Sequence, residues 1–292
     1  MAALTGAIRA AWAADAGRHP PMPDADLCCA TALALLALTG LTLQLVGGYH
    51  AGFHEVNGLA PWLPRWLWQG LTTLGDERAA IALALLLARR HPHVLYTVLL
   101  AALLATLANR GIKLGADQLR PPAVLPADSF HLLGPANKRL SFPSGHTVTA
   151  FVLFGVLAYH FRRWRLPLLA LAGAAGLSRV AIGVHWPIDV IAGAFIGLAS
   201  AWAAVHLAHR LRWDLNPYLH FGIVALASVA AVLLVVDDGG YDSSLWIRLP
   251  IAVTSIGAVV WHYLVAPRRK ENASGEPAAA GEQKSSAQGC AR

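Results

Sequence analysis

The chain has 292 residues, of which 13% are charged and 56% hydrophobic, with a formal net charge of +7. Soluble domains carry about one quarter charged residues, so this balance excludes an ordinary soluble globule. The basic residues fall in short clusters between apolar runs and not on one face interleaved with aromatics, and no zinc-finger spacing is present, which excludes a nucleic-acid binder.

Several apolar runs are about 18–22 residues long, enough to cross a bilayer as helices. The expected fold is therefore all-α, a polytopic membrane helix bundle. Residues 1–26, with Arg9, Asp15, Arg18 and a turn at Pro20-Pro21-Met22-Pro23, read as a cytoplasmic N-terminal segment without a cleavable signal peptide. The first span is expected at 27–47, closed by Gly47-Gly48. Residues 49–66 are polar and aromatic, and Trp62, Trp66 and Trp68 suit a membrane–water interface. The second span is expected at 67–88. Its apolar core, Ala79 to Ala88, is too short to cross alone, so it takes in Thr72 to Arg78, whose charges must lie near the outer surface or face a polar cavity; Asp76, Glu77 and Arg78 either line that cavity or, the favoured reading, pair with one another. The third covers 93–112 and continues as a more polar helix to Leu119, where Pro121-Pro122 stops it.

A loop occupies 121–142. The fourth span runs from His146 to Phe161, the fifth over 166–183, and the sixth from Pro187 to about 212. The seventh covers 219–236, an acidic link runs from Asp237 to Asp242, and the eighth covers 246–265. The tail from Glu271 is rich in Ala, Gly, Ser and Glu without apolar periodicity, and is expected to be disordered. The chain divides into 1–26, a six-span unit at 27–212, two further transmembrane helices at 213–267, and a cytoplasmic tail at 268–292. Cys28 and Cys29 lie in an apolar run and Cys290 in the tail, which gives neither a disulfide framework nor a metal set.

Basic clusters follow spans two, four, six and eight. The positive-inside rule puts those ends in the cytoplasm, with both termini, and puts the links after spans three, five and seven outside. No internal repeat is visible, which argues against a repeat-built transporter.

Three polar segments then fall at one membrane face. In the first, Lys113 and Arg120 are seven apart, so a continuing helix would put two cations on one side; they could meet an anion or snorkel to lipid headgroups. The second is Pro143-Ser144-Gly145-His146, a stop, an N-cap, a bare backbone and a His in the first turn of a helix whose free N–H groups favour an anion. A simple capped helix carrying a His fits it equally. In the third, Ser178-Arg179 precede His185 and Asp189, four apart at a helix start. The carboxylate can hold one ring nitrogen and orient the other; a capping Asp beside an unrelated His is the other reading.

Taken together, Lys-x6-Arg-Pro, Pro-Ser-Gly-His and Ser-Arg-x5-His-x3-Asp, in this order over 113–189, resemble the three-part signature of the type-2 phosphatidic acid phosphatase family. The resemblance implies a six-helix phosphatase core with its site at the outer membrane surface, followed here by the two additional C-terminal helices. It implies that Lys113, Arg120 and Arg179 bind phosphate oxygens, and that Ser144 and Gly145 add donors. It makes His185 the nucleophile that becomes phosphohistidine, Asp189 its orienting partner, and His146 the acid for the leaving oxygen. Arg110, Lys138 and Arg139 are read as cations for a second phosphate or for headgroups.

No cofactor or metal is implied, since three fixed cations and helix N–H groups can neutralise the transferring group. The partners implied are a membrane lipid phosphate and the bilayer, in a bacterial inner membrane, with homo-oligomerisation through the last two helices left open. Undecaprenyl diphosphate, phosphatidylglycerophosphate, phosphatidic acid and lipid A phosphate are the substrates that the resemblance offers. A lipid-to-lipid phosphotransferase would use the same phosphohistidine. A soluble vanadate haloperoxidase shares such a site but not eight apolar spans, and a headgroup-binding transporter would not need the His185–Asp189 pair.

Overall fold

The computed structural model describes residues 2–16, 21–211 and 216–266, which contain helices and links and no strand. The helices are α1 (Ala2–Ala16), α2 (Pro23–Gly47), α3 (Phe53–Asn57), α4 (Arg65–Thr73), α5 (Glu77–Leu85), α6 (Pro92–Ala116), α7 (Pro121–Val124), α8 (Gly145–His160), α9 (Arg165–Ala181), α10 (Pro187–Leu211), α11 (Pro217–Val236) and α12 (Leu245–Val259), which runs on as a short π-helical segment to Val265. Five segments, containing α2, α6, α10, α11 and α12, are long and apolar enough to cross a membrane. Their outward faces carry bare leucines such as Leu38, Leu45, Leu107 and Leu226, side chains that a bilayer solvates and water does not. The molecule is a polytopic helical membrane protein.

Helix α10 is the hub, packed on α2, α6, α8 and α9. Small residues let it approach α8: a Cβ on Gly193 would lie 2.7 Å from the Ser144 carbonyl oxygen. Close backbone approach of this kind is how helices associate where no hydrophobic drive separates them from lipid. Helices α11 and α12 form a pair that docks on α4 and α5.

Two expectations are corrected. The second span is not one helix but two, α4 and α5, broken at Leu74-Gly75-Asp76. The Asp76 carboxylate accepts from Arg78 N at 2.8 Å and starts α5 afresh. Gly75 lies where a Cβ would be 2.4 Å from the His146 carbonyl oxygen, so the break seats against the start of α8. Second, α6 ends at Ala116 and not at Leu119, because Asp117 turns left-handed at φ 35°. The N-terminal segment contains a packed helix. Ile8 of α1 is buried, and the Asp15 carboxylate accepts from His93 N at 2.9 Å, meeting one of the orphan N–H groups in the first turn of α6. The expected disordered tail lies outside the described residues, as does Cys290.

Candidate active site

The site forms where the starts of α8 and α10 meet the ends of α6 and α9. At its centre His185 Nδ1 lies 3.1 Å from Asp189 Oδ2, with both side chains almost completely buried. The turn Ile182–Trp186 places His185 just before Pro187, which begins α10 with φ already suited to a helix. Asp189 is heavily hydrogen-bonded. Its Oδ2 accepts from Ser141 Oγ at 2.5 Å and from Trp186 N at 2.9 Å, and its Oδ1 accepts from Tyr49 Oη at 2.5 Å. A carboxylate with this many donors is held in place. It fixes the His185 ring by Nδ1, which turns Nε2 away from the carboxylate. Burial, together with Arg120, Arg179 and Lys113 nearby, holds the His185 imidazole well below its usual pKa, and so neutral.

The cations arrive by different routes. Lys113, in the last turn of α6, brings Nζ to 3.8 Å from the point where a Cβ on Gly145 would sit; Asn109 Nδ2 comes equally near, at 3.7 Å. A Cβ there would make only ordinary contacts, and its absence leaves the backbone bare beside both groups. Arg120 does not share a helix face with Lys113, as the seven-residue spacing had implied, because α6 has already ended. It is carried by the extended stretch before α7, its backbone N donating to Lys138 O at 2.9 Å and its Nε to Arg139 O at 3.0 Å. Its Nη1 lies 3.4 Å from Val184 O, next to His185. Arg179, in the last turn of α9, is 3% exposed and donates from Nη1 to Tyr241 Oη at 2.6 Å.

Ser144 stands at the N-cap position of α8 with extended backbone, but its side chain caps nothing. Its Oγ accepts instead from Thr147 Oγ1 at 3.0 Å, and its N donates to Asp189 O at 3.0 Å, tying the two helix starts together. The first N–H groups of α8 are therefore not consumed by a capping side chain, which keeps them available to an anion. His146 follows, with Nε2 buried and lacking a hydrogen-bond partner; the same is true of Arg179 Nε. Two unpaired polar nitrogens in one buried corner are costly unless a ligand satisfies them.

The outer cations separate. Arg139 is exposed and forms an ion pair with Asp117; Arg110 and Lys138 are exposed, with no hydrogen bond or ion pair from either side chain to a signature residue among the described residues. Ser178 serves α4–α9 packing, its Oγ 2.7 Å from Thr72 Oγ1. Asp76 and Arg78 pair, as expected, but Arg78 also reaches Asp237 at 2.8 Å.

Sequence reasoning missed Tyr49, Tyr241 and Asn57. Asn57 Nδ2 donates to His131 O and Ala181 O, each at 2.9 Å, and pins the 121–142 loop to the end of α9. The clue to Tyr49 was the aromatic density of its segment: His50 stacks on Trp186 at 4.0 Å and Phe53 meets the same ring at 4.9 Å. This clamp seats the link beside Asp189.

Fold and geometry together define a class: a multi-pass helical membrane protein with an anion-ready His–Asp site at the ends of its helices. Residues 93–213 match the PAP2 superfamily. Lipid A 1-phosphatase of Rhizobium johnstonii is 36% identical over 118 residues, covering 38% of this chain and 43% of that protein. Undecaprenyl-diphosphatase of Sulfolobus acidocaldarius is 26% identical over 194 residues, 60% of this chain and 88% of its own length. Phosphatidylglycerophosphatase B of Escherichia coli is 37% identical over 82 residues, 26% of this chain and 32% of that one. The chain thus spans less than half the length of the Rhizobium relative.

Proposed function

We propose that this protein is a lipid phosphatase that removes a phosphomonoester or terminal phosphate through a phosphohistidine at the outer face of a bacterial inner membrane. The observation that carries this reading is the buried His185–Asp189 pair set beside Arg179 Nε and His146 Nε2, two nitrogens without hydrogen-bond partners among the described residues. The relatives named above support the class of substrate.

In the proposed reaction His185 Nε2 attacks phosphorus in line with the leaving oxygen. Asp189 holds Nδ1–H and stabilises the imidazolium that forms. Lys113, Arg120, Arg179 and the N–H groups around Ser144 and Gly145 take the charge on the equatorial oxygens. His146 gives a proton to the lipid oxygen as the P–O bond breaks. Water then attacks the phosphohistidine; His146 takes its proton, the P–N bond breaks, and inorganic phosphate leaves. The six-span unit at 27–212 frames this site, with both termini in the cytoplasm. Helices α2 and α10 would keep an acyl or prenyl chain in lipid while its phosphate meets the site.

The test is phosphate release from phosphatidic acid, phosphatidylglycerophosphate, undecaprenyl diphosphate and lipid A. His185→Ala should remove at least about 10³-fold of the activity on whichever lipid is cleaved. Undiminished release by that variant would discard the catalytic assignment. With charge neutralised by fixed side chains, the purified enzyme should retain full turnover in EDTA; restoration by Mg²⁺ of an activity lost to EDTA would show that a metal does this work.

A further inference from the structure

The link between α11 and α12 lies beyond the segment that matches the family, yet it enters the site. Tyr241 is 4% exposed. Its hydroxyl accepts from Arg179 Nη1 at 2.6 Å, its ring lies 5.6 Å from the guanidinium carbon, and it meets the His146 ring edge-on at 6.2 Å. No other side chain among the described residues hydrogen-bonds to the Arg179 guanidinium. A long guanidinium side chain has many rotamers, and fixing it before the anion arrives removes an ordering cost from binding.

The link that delivers Tyr241 is itself secured. Arg78 Nη1 donates to Asp237 O at 3.0 Å and Oδ2 at 2.8 Å, and Arg65 pairs with Asp242 at 3.2 Å. Gln69, fully buried in α4, accepts from Ser243 N at 2.8 Å and donates to Leu133 O at 2.9 Å, joining this link to the 121–142 loop. Gly240, at φ +85°, makes the turn against Pro135. So α4, α5 and the C-terminal pair together aim one phenol at one arginine.

We propose that Tyr241 is a positioning residue: it holds the Arg179 guanidinium toward the phosphate, which makes α11 and α12 part of the site and not only added packing. This rests on the phosphatase reading above. Tyr241→Phe keeps the ring, its packing on His146 and the ring–cation contact, and removes only the hydroxyl. With the full-length protein in detergent, orthovanadate binding measured by calorimetry should weaken about ten-fold. The KM for a cleaved lipid should rise to match, with the melting temperature changed by less than about 2 °C. In an Arg179→Ala background the same substitution should change vanadate affinity by less than about two-fold, because the residue it acts through is gone.

Wild-type vanadate affinity in Tyr241→Phe overturns the inference, and so does an equal loss in both backgrounds. A lowered melting temperature with unchanged affinity overturns it too, since it marks a purely structural role. If wild type binds vanadate but releases no phosphate from any lipid, the phosphatase reading fails while the binding arms still decide on Tyr241. Wild type that binds no vanadate overturns both.

Discussion

Two carboxylates in this molecule sit in the first turn of a membrane helix and face a histidine and a tyrosine. Asp189 of α10 has His185 and Tyr49; Asp26 of α2 has His206 at 2.9 Å and Tyr159 at 2.9 Å, with Trp202 at 2.7 Å. By pairing alone they look alike. They differ in surroundings. The Asp189 pair is sealed, at 1% and 0% side-chain exposure, whereas the His206–Asp26 pair is about one-third open, at 32% and 30%. Lys113, Arg120 and Arg179 act on His185, and unpaired nitrogens of Arg179 and His146 lie beside it. Asp26 Oδ1 instead takes all three of its donors and closes a helix junction. On the proposed function, a His–Asp pair is a reactive centre only where burial raises its electrostatic strength and nearby cations remain to be used.

The largest difference between the two should come from neutralising each acid. Asp189→Asn preserves shape but removes the charge that stabilises an imidazolium and can turn the ring to its other tautomer. Phosphate release should drop by about 10²- to 10⁴-fold, mainly in kcat. Asp26→Asn should lower the melting temperature and leave the turnover of folded protein within about two-fold. A comparable loss of kcat in both variants would erase the distinction drawn from burial and cations.

Much of the bundle was legible because bilayer-length apolar runs are long signals, and Pro92, Pro187 and Pro217 each mark a helix start within two residues of an expected boundary. The break between α4 and α5 was not legible. It depends on Gly75 meeting the His146 backbone, a tertiary contact across 71 positions of sequence. The helical reading of Lys113 and Arg120 failed for a local reason, the left-handed turn at Asp117, although both cations still reach the pocket. Within the site, motif spacing carried the residues of α6, α8, α9 and α10, because each motif is compact. Tyr49 and Tyr241 belong to no motif. Each acts on a partner far along the chain, Asp189 and Arg179, and only packing shows that. The 13 histidines give no hint by themselves which of them meets a cation cluster.

The smallest effect expected separates the two tyrosines. Tyr49 is one of four donors to Asp189, so Tyr49→Phe leaves Ser141, Trp186 N and His185 in place. One neutral donor to a charged acceptor should matter modestly, and kcat/KM should drop by about 3- to 10-fold. Tyr159→Phe removes one of three donors to Asp26 but lies in a junction without unpaired cations, and should change kcat/KM by less than about two-fold while lowering the melting temperature. Since Tyr49 acts through Asp189, its effect should vanish in an Asp189→Asn background, where the charge it supports is already gone. A full additional loss there would mean that Tyr49 touches the substrate itself, and that the aromatic link before α3 is part of the binding surface and not a brace behind it.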